Sequence, residues 1–177
     1  MRLAIITVFF LFHLVAVHWQ KQQNDRGYIV QVGDRVPAFS MTLLNGDTLH
    51  ISELKGKVVV LQFTASWCSV CRKEMPHLEK EVWKRFKDKP FLLIGVDYDE
   101  PAEKVAAFKK QMKVTYPFAL DPGGGIFSLF ARKGAGVTRN VVINRQGKII
   151  FLTRLYDVNE LNEMVGVIDN QFNNTDR

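Results

Sequence analysis

The spacing of apolar and polar residues changes several times along the chain, and each change marks an element. Leu3 to Val17 is apolar at every position except Thr7 and His13. A single charge, Arg2, precedes it, and the polar run Trp19-Gln20-Lys21-Gln22-Gln23-Asn24-Asp25 follows. A charge, a short apolar core and a polar exit form the layout of an export signal. The core of about 15 residues is short for a bilayer span, which takes roughly 20. Ala16-Val17-His18 lacks a small residue at its last position, where cleavage needs one. Two readings stand: a signal peptide over residues 1–19, or an N-terminal anchor that associates with a membrane through residues 3–17. No Cys follows the core, which excludes a lipoprotein anchor.

Residues 20–31 read as a linker, residues 32–169 as one compact domain, and residues 170–177 as a polar tail that frays from Asp169 onward. Within the domain, Asn45-Gly46 between two apolar runs signals a hairpin. Lys57 to Phe63, KVVVLQF, and Phe91 to Val96, FLLIGV, are nearly continuous apolar runs, as in strands buried on both faces. Lys73 to Lys87 carries Met75, Leu78, Val82 and Phe86 at helical steps, and Ala102 to Met112 carries Val105, Phe108 and Met112. The loop Gly123-Gly124-Gly125 precedes a short helix expected over Ile126 to Ala131. Asn140 to Ile143 and Lys148 to Leu152 flank Asn144-Arg145-Gln146-Gly147 as a second hairpin. Asn159 to Ile168 closes the domain as a helix with Leu161, Met164, Val165 and Ile168 inward. Strands alternating with helices imply a partly parallel sheet with helices on both faces, and the last hairpin adds an antiparallel edge.

Composition narrows the function. A hydrophobic fraction of 47% with 24% charged residues excludes a disordered or fibrous chain. The net charge of +6 comes from scattered residues with no basic stripe interleaved with aromatics, so no nucleic-acid partner is expected. Cys68 and Cys71 are the two cysteines, which excludes a disulfide-stapled scaffold.

Those cysteines sit in Trp67-Cys68-Ser69-Val70-Cys71-Arg72, where a buried strand gives way to a helix. The first N–H groups of a helix lack partners and carry partial positive charge, so a thiolate at Cys68 is stabilised and its pKa falls below that of a free thiol. Cys71 lies one turn on, close enough to close a disulfide. One cysteine attacks and the other resolves the mixed disulfide. A plain structural disulfide would close too short a loop to constrain the unfolded chain much. A structural zinc site would need Cys68, Cys71, His50 and His77 together, without a second C-x-x-C. Haem attachment fails because Arg72 stands where a His is required, and a copper chaperone fails on spacing. No cofactor and no metal are expected.

The stretches VGDRVPAFSMTLLNGDTLHISELKGKVVVLQFTASWCSVCRKEMPHLEKE, YPFALD and VVINRQGKIIF resemble a TlpA/ResA-type thioredoxin-like protein of the redoxin group. Pro76 matches that family's helix-kinking proline. The resemblance implies an α/β thioredoxin-like fold with a central mixed sheet, helices on both faces and an N-terminal β-hairpin extension. It implies a thiol–disulfide oxidoreductase of the periplasm or another exported location, acting on protein thiols and disulfides there and coupled to a redox partner protein. Cys68 would be the attacking thiol and Cys71 the buried resolving one, with Trp67, Ser69, Val70, Val137 and Thr138 meeting the substrate. Three departures stand out. Ser69-Val70 contains no proline. Gln62 replaces the buried acid of thioredoxins proper, with Glu100 aligned to an acid used instead, or else acting only as a helix N-terminal acid. Thr138 replaces the cis-proline facing the disulfide; a non-proline cis bond costs about 2.5–4 kcal/mol, so Val137–Thr138 is expected to be trans. Without that proline the pair is more open to metal, and a metal-binding or substrate-holding module without turnover is one alternative. Arg139 reads as a solvated edge charge in preference to an anion holder. A peroxiredoxin-like peroxide reductase is the other alternative, although it would need a Thr at Ala65, and Thr64 lies one place off.

Overall fold

The computed structural model describes residues 26–173, so the export signal or anchor expected at residues 1–19 and the last four residues of the tail lie outside the described residues. Seven strands form one sheet: β1 (Ser40–Leu43), β2 (Thr48–His50), β3 (Val58–Thr64), β4 (Phe91–Tyr98), β5 (Phe118–Asp121), β6 (Arg139–Ile143) and β7 (Ile149–Arg154). Their order is β2-β1-β5-β4-β3-β6-β7. β3, β4 and β5 run parallel; the β1–β2 hairpin docks on β5 and the β6–β7 hairpin on β3, both antiparallel. All seven residues of β3 are buried, which is why its sequence shows no alternation.

Three helices cover the sheet. α1 begins at Ser69–His77 and continues through a π turn, Leu78–Trp83, into Lys84–Phe86. α2 is Ala102–Met112 and α3 is Val158–Asn173. Their apolar stripes join one core: Met75, Leu78, Val82 and Phe86 from α1, Val105 and Phe108 from α2, Leu161, Met164 and Ile168 from α3. The second core, on the other face, gathers Leu61, Phe63, Ile94 and Val141 with residues of two 3-10 turns, Ile51–Leu54 and Phe127–Leu129, and with Tyr28. The helical layer on that face is thus made of single turns.

Four boundaries differ from the sequence expectation. α1 starts four residues before Lys73, because its first turn faces the cysteines and carries no apolar stripe to announce it. Pro76 has no N–H to give its helix, and the ladder resumes beyond it as the π turn. Ile126 to Ala131 is a 3-10 turn: the Asp121 carboxylate accepts from Ile126 N–H and Phe127 N–H at 2.7 and 2.8 Å, and Ala131 is drawn into a bridge with Tyr28. α3 does not fray at Asp169 but runs to Asn173, held where Phe172 stacks on Phe86 and Asp169 meets Arg85 at 3.1 Å. Packing also begins ahead of Val32, since Tyr28 is buried and donates to the Thr153 carbonyl at 2.6 Å.

Candidate active site

β3 ends at Thr64, and a tight turn, Cys68 N–H to Ala65 carbonyl at 3.1 Å, carries the chain into α1. Cys68 is the N-cap of α1. Its backbone is extended, and its sulfur accepts the otherwise unpartnered N–H of Cys71 at 3.1 Å. The two cysteines form a disulfide with their Cα atoms 5.3 Å apart. Cys68 retains 8% exposure and Cys71 none. Arg72 secures the turn from below by donating to the Ser66 carbonyl at 2.8 Å and lying over the Phe108 ring.

Thr138, just before β6, closes over the pair. Its hydroxyl lies 3.1 Å from the Cys68 sulfur and 3.3 Å from the Cys71 sulfur. No peptide bond among the described residues is cis, and Val137–Thr138 is trans. An apolar groove of about 550 Å³ is lined by Trp67 and Val137, the residues that precede Cys68 and Thr138 in the chain. Trp67 is 61% exposed, a large apolar ring left in solvent at the lip of a reactive disulfide. Ser69 is exposed and Val70 half-buried on the same turn. Tyr98 forms the far end of the groove, packed on Gly124. That glycine adopts φ +68, and a Cβ there would run into the Tyr98 ring.

Glu100 is held on the turn that leads into the cysteine pair. Its carboxylate accepts from the Ser66 N–H and, at 2.7 Å, from the Ser66 hydroxyl, and it pairs with Lys104 one helical turn on. Burial pushes its pKa up, but Lys104 and the Ser66 donors outweigh this and hold it below the usual carboxylate range. It steadies the turn two residues ahead of Cys68. Two buried acids that the sequence reading missed also lie on α1 and β4. Glu74, one turn after Cys71, accepts from Asn140 Nδ2 at 2.7 Å and from Gln62 Nε2 at 3.5 Å. Gln62 in turn accepts from the Tyr116 hydroxyl at 2.7 Å. Burial pushes Glu74 up to about 7. A second acid, Asp97 on β4, is fully buried, and neither of its carboxylate oxygens has a hydrogen-bond partner among the described residues. Burial and then the neighbouring Glu100 push it to about 7. A carboxyl on the apolar stripe three residues after Cys71 was the available signal for Glu74; Asp97 directly follows the apolar run Phe91 to Val96, where an acid reads as the end of a strand.

Two further expectations are corrected or decided. Arg139 is not a solvated edge charge: it is 1% exposed, donates to the carbonyls of Gly136 and Arg26 at 3.1 and 2.7 Å, and lies over the Tyr28 ring. No three His, Cys, Asp or Glu side chains among the described residues gather to hold a metal, and His77 stacks on Tyr156, so the four-ligand set with His50 does not assemble. The Thr64 hydroxyl donates to the Met75 sulfur at 3.8 Å.

Comparison with known proteins accords with this geometry. The Redoxin family profile matches residues 31–168. The thiol-disulfide oxidoreductase ResA of Bacillus cereus is 33% identical over 121 residues, covering 68% of each chain. The solution structure of a candidate protein disulfide isomerase from Bacteroides thetaiotaomicron is 53% identical, with a TM-score of 0.80 over 83% of this chain and 93% of that one. A candidate thiol:disulfide interchange protein DsbE from Chlorobium tepidum is 25% identical, with a TM-score of 0.71 over 80% of this chain and 98% of that one. With a thioredoxin-like sheet, a disulfide capping its first helix and these relatives, the chain belongs to the redoxin family, within its ResA-type thiol–disulfide oxidoreductases.

Proposed function

We propose that Cys68 and Cys71 cycle between dithiol and disulfide by exchange with protein thiols and disulfides outside the cytoplasm. The observation that carries this reading is the disulfide itself, formed at the start of a helix between a Cys68 that keeps some exposure and a Cys71 that has none. In the reducing direction, the Cys68 thiolate attacks a substrate S–S bond, forming a mixed disulfide and releasing one substrate thiolate. The Cys71 thiolate then attacks the Cys68 sulfur, closing the intramolecular disulfide and releasing the second substrate thiolate. Two electrons pass to the substrate, two protons are taken up by its thiols, and a separate redox protein resets the pair. The oxidising direction is the same sequence reversed. Trp67 and Val137 offer the apolar walls for the substrate chain, with Ser69 and Val70 beside the attacking sulfur. Glu100 is a positioning residue that acts through Ser66.

The test is an equilibrium with dithiothreitol in graded thiol-to-disulfide ratios, followed by mixing of the reduced protein with insulin. A reversible two-electron transition and insulin reduction are the expected results; a chain that does neither is not an exchange catalyst. Location has its own test. A fusion of residues 1–31 to a reporter active only outside the cytoplasm is expected to give signal, and a silent reporter removes the exported setting.

Thr138 supplies a hydroxyl in contact with both sulfurs, and a donor to a thiolate favours its charged form. Thr138→Val keeps the shape and removes the donor. Titration of the thiolate absorbance is expected to place Cys68 higher in Thr138→Val than in the parent, by roughly one unit. Identical curves make the hydroxyl a bystander.

A further inference from the structure

The loop Lys133–Gly136 separates the apolar groove from a second one of about 500 Å³, and its residues line both. The second groove is of opposite character. Arg26, Arg132, Lys133, Arg139 and Arg154 line it, and no acidic side chain among the described residues does. Glu160 pairs with Arg26 and accepts the Arg154 backbone N–H. Burial, with the neighbouring guanidiniums, holds Arg139 and Arg154 below the ordinary arginine range, so these cations are gathered against their own repulsion.

Two glycines border these cations: a Cβ on Gly136 would meet the tip of the Arg154 guanidinium, and Gly27, which adopts φ +78, lies against that of Arg139. The groove is also wired to the reacting atoms. Arg154 Nη1 donates to the Thr138 carbonyl at 3.5 Å, and the Thr138 hydroxyl touches both sulfurs. A polypeptide lying against Trp67 and Val137 continues over the loop into a field of positive charge.

We infer that this groove seats an acidic segment of the protein substrate, so that Asp and Glu side chains on the chain crossing Val137 select which disulfide or thiol is presented to Cys68. The inference rests on the exchange reading above and adds the chemical class of substrate. Complementary charge of this kind acts on encounter and on discrimination between partners, and it weakens with salt.

The test uses two short labelled peptides with Ser at the cysteine position, identical but for a run of Glu in one and of Gln in the other, titrated with the full chain by fluorescence anisotropy. The Glu peptide is expected to bind about tenfold more tightly at about 50 mM salt, with the advantage shrinking at about 300 mM. Lys133→Gln is expected to reduce that advantage, and Lys133→Gln combined with Arg154→Gln to erase it. Lys80→Gln, at an exposed side chain paired with Glu81, is expected to leave it intact. Equal binding of the two peptides, or a preference undiminished in both variants, overturns the inference. Exchange is read separately with cysteine-bearing peptides and with hydroxyethyl disulfide. A preference for Glu without any exchange keeps the groove and sinks the redox reading; exchange of both substrates without a preference does the reverse.

Discussion

Cys68→Ser is expected to lower exchange with protein disulfides by on the order of a thousandfold, to the uncatalysed rate, because a hydroxyl at the helix N-cap gives no thiolate at neutral pH. Cys71→Ser is expected to behave differently. The Cys68 sulfur is the one with surface exposure, so it still attacks, but nothing remains to displace the substrate from it. The variant therefore accumulates a mixed disulfide that survives a non-reducing gel and disappears with reductant. Mass spectrometry of the trapped species checks both halves of the assignment. Alkylation of the reduced parent at mildly acid pH is a third arm: Cys68 is expected to be labelled first, and preferential labelling at Cys71 would reverse the roles of the two sulfurs.

The second large effect is on stability. Glu74 is pushed from an ordinary 4.5 to about 7 by burial, against the bonds from Asn140 and Gln62 that favour its charged form. The folded protein therefore holds a proton that the unfolded chain releases between those two values. Stability from this group is complete below about 4.5, falls as pH rises through the window, and levels off above about 7. The shift corresponds to about 3 kcal/mol lost across the window, as an order of magnitude. Asp97 adds a loss of the same sign between 3.8 and about 7. Glu74→Gln keeps an acceptor for Asn140 and gives up the long bond from Gln62. Urea unfolding of the oxidised variant is expected to show a shallower fall from pH 5 to pH 8 and a gain of about 2 kcal/mol at the upper end. Asp97→Asn in addition is expected to flatten what remains. A parent whose unfolding free energy rises from pH 5 to pH 8 contradicts the assignment of both acids.

Glu74 and Asp97 also mark how far a linear reading reaches. The strands Val58–Thr64 and Phe91–Tyr98 were legible because a strand buried on both faces needs apolar residues at every step, and that requirement is written locally. The hairpin at Asn45-Gly46, the helix over Ala102–Met112, the closing helix as far as Ile168, and the placement of Cys68 at a helix start follow from short-range rules of the same kind. The cysteine pair could be recognised because both partners lie within one helical turn. Thr138 could be placed against it only through the resemblance to a known family.

Tertiary structure decided what distant segments meet. Glu74 and Asn140 are 66 residues apart and join because β6 lies beside β3 under α1. Burial there, and not the residue type, turns an ordinary glutamate into a proton-holding group. Arg139 had the sequence appearance of an edge charge until the Arg26–Tyr28 segment, more than a hundred positions earlier, folded over it and supplied a carbonyl and a ring. Glu100 meets the Ser66 donors, 34 positions earlier, only because the turn after β3 lies beside the end of β4. Local sequence determined the elements and the two sulfurs, because helix and strand periodicity and a two-residue spacing are local properties. The hydroxyl over the sulfurs, the two buried acids and the basic groove beside an apolar one were decided by packing, because desolvation and charge proximity depend on neighbours that the chain order does not name.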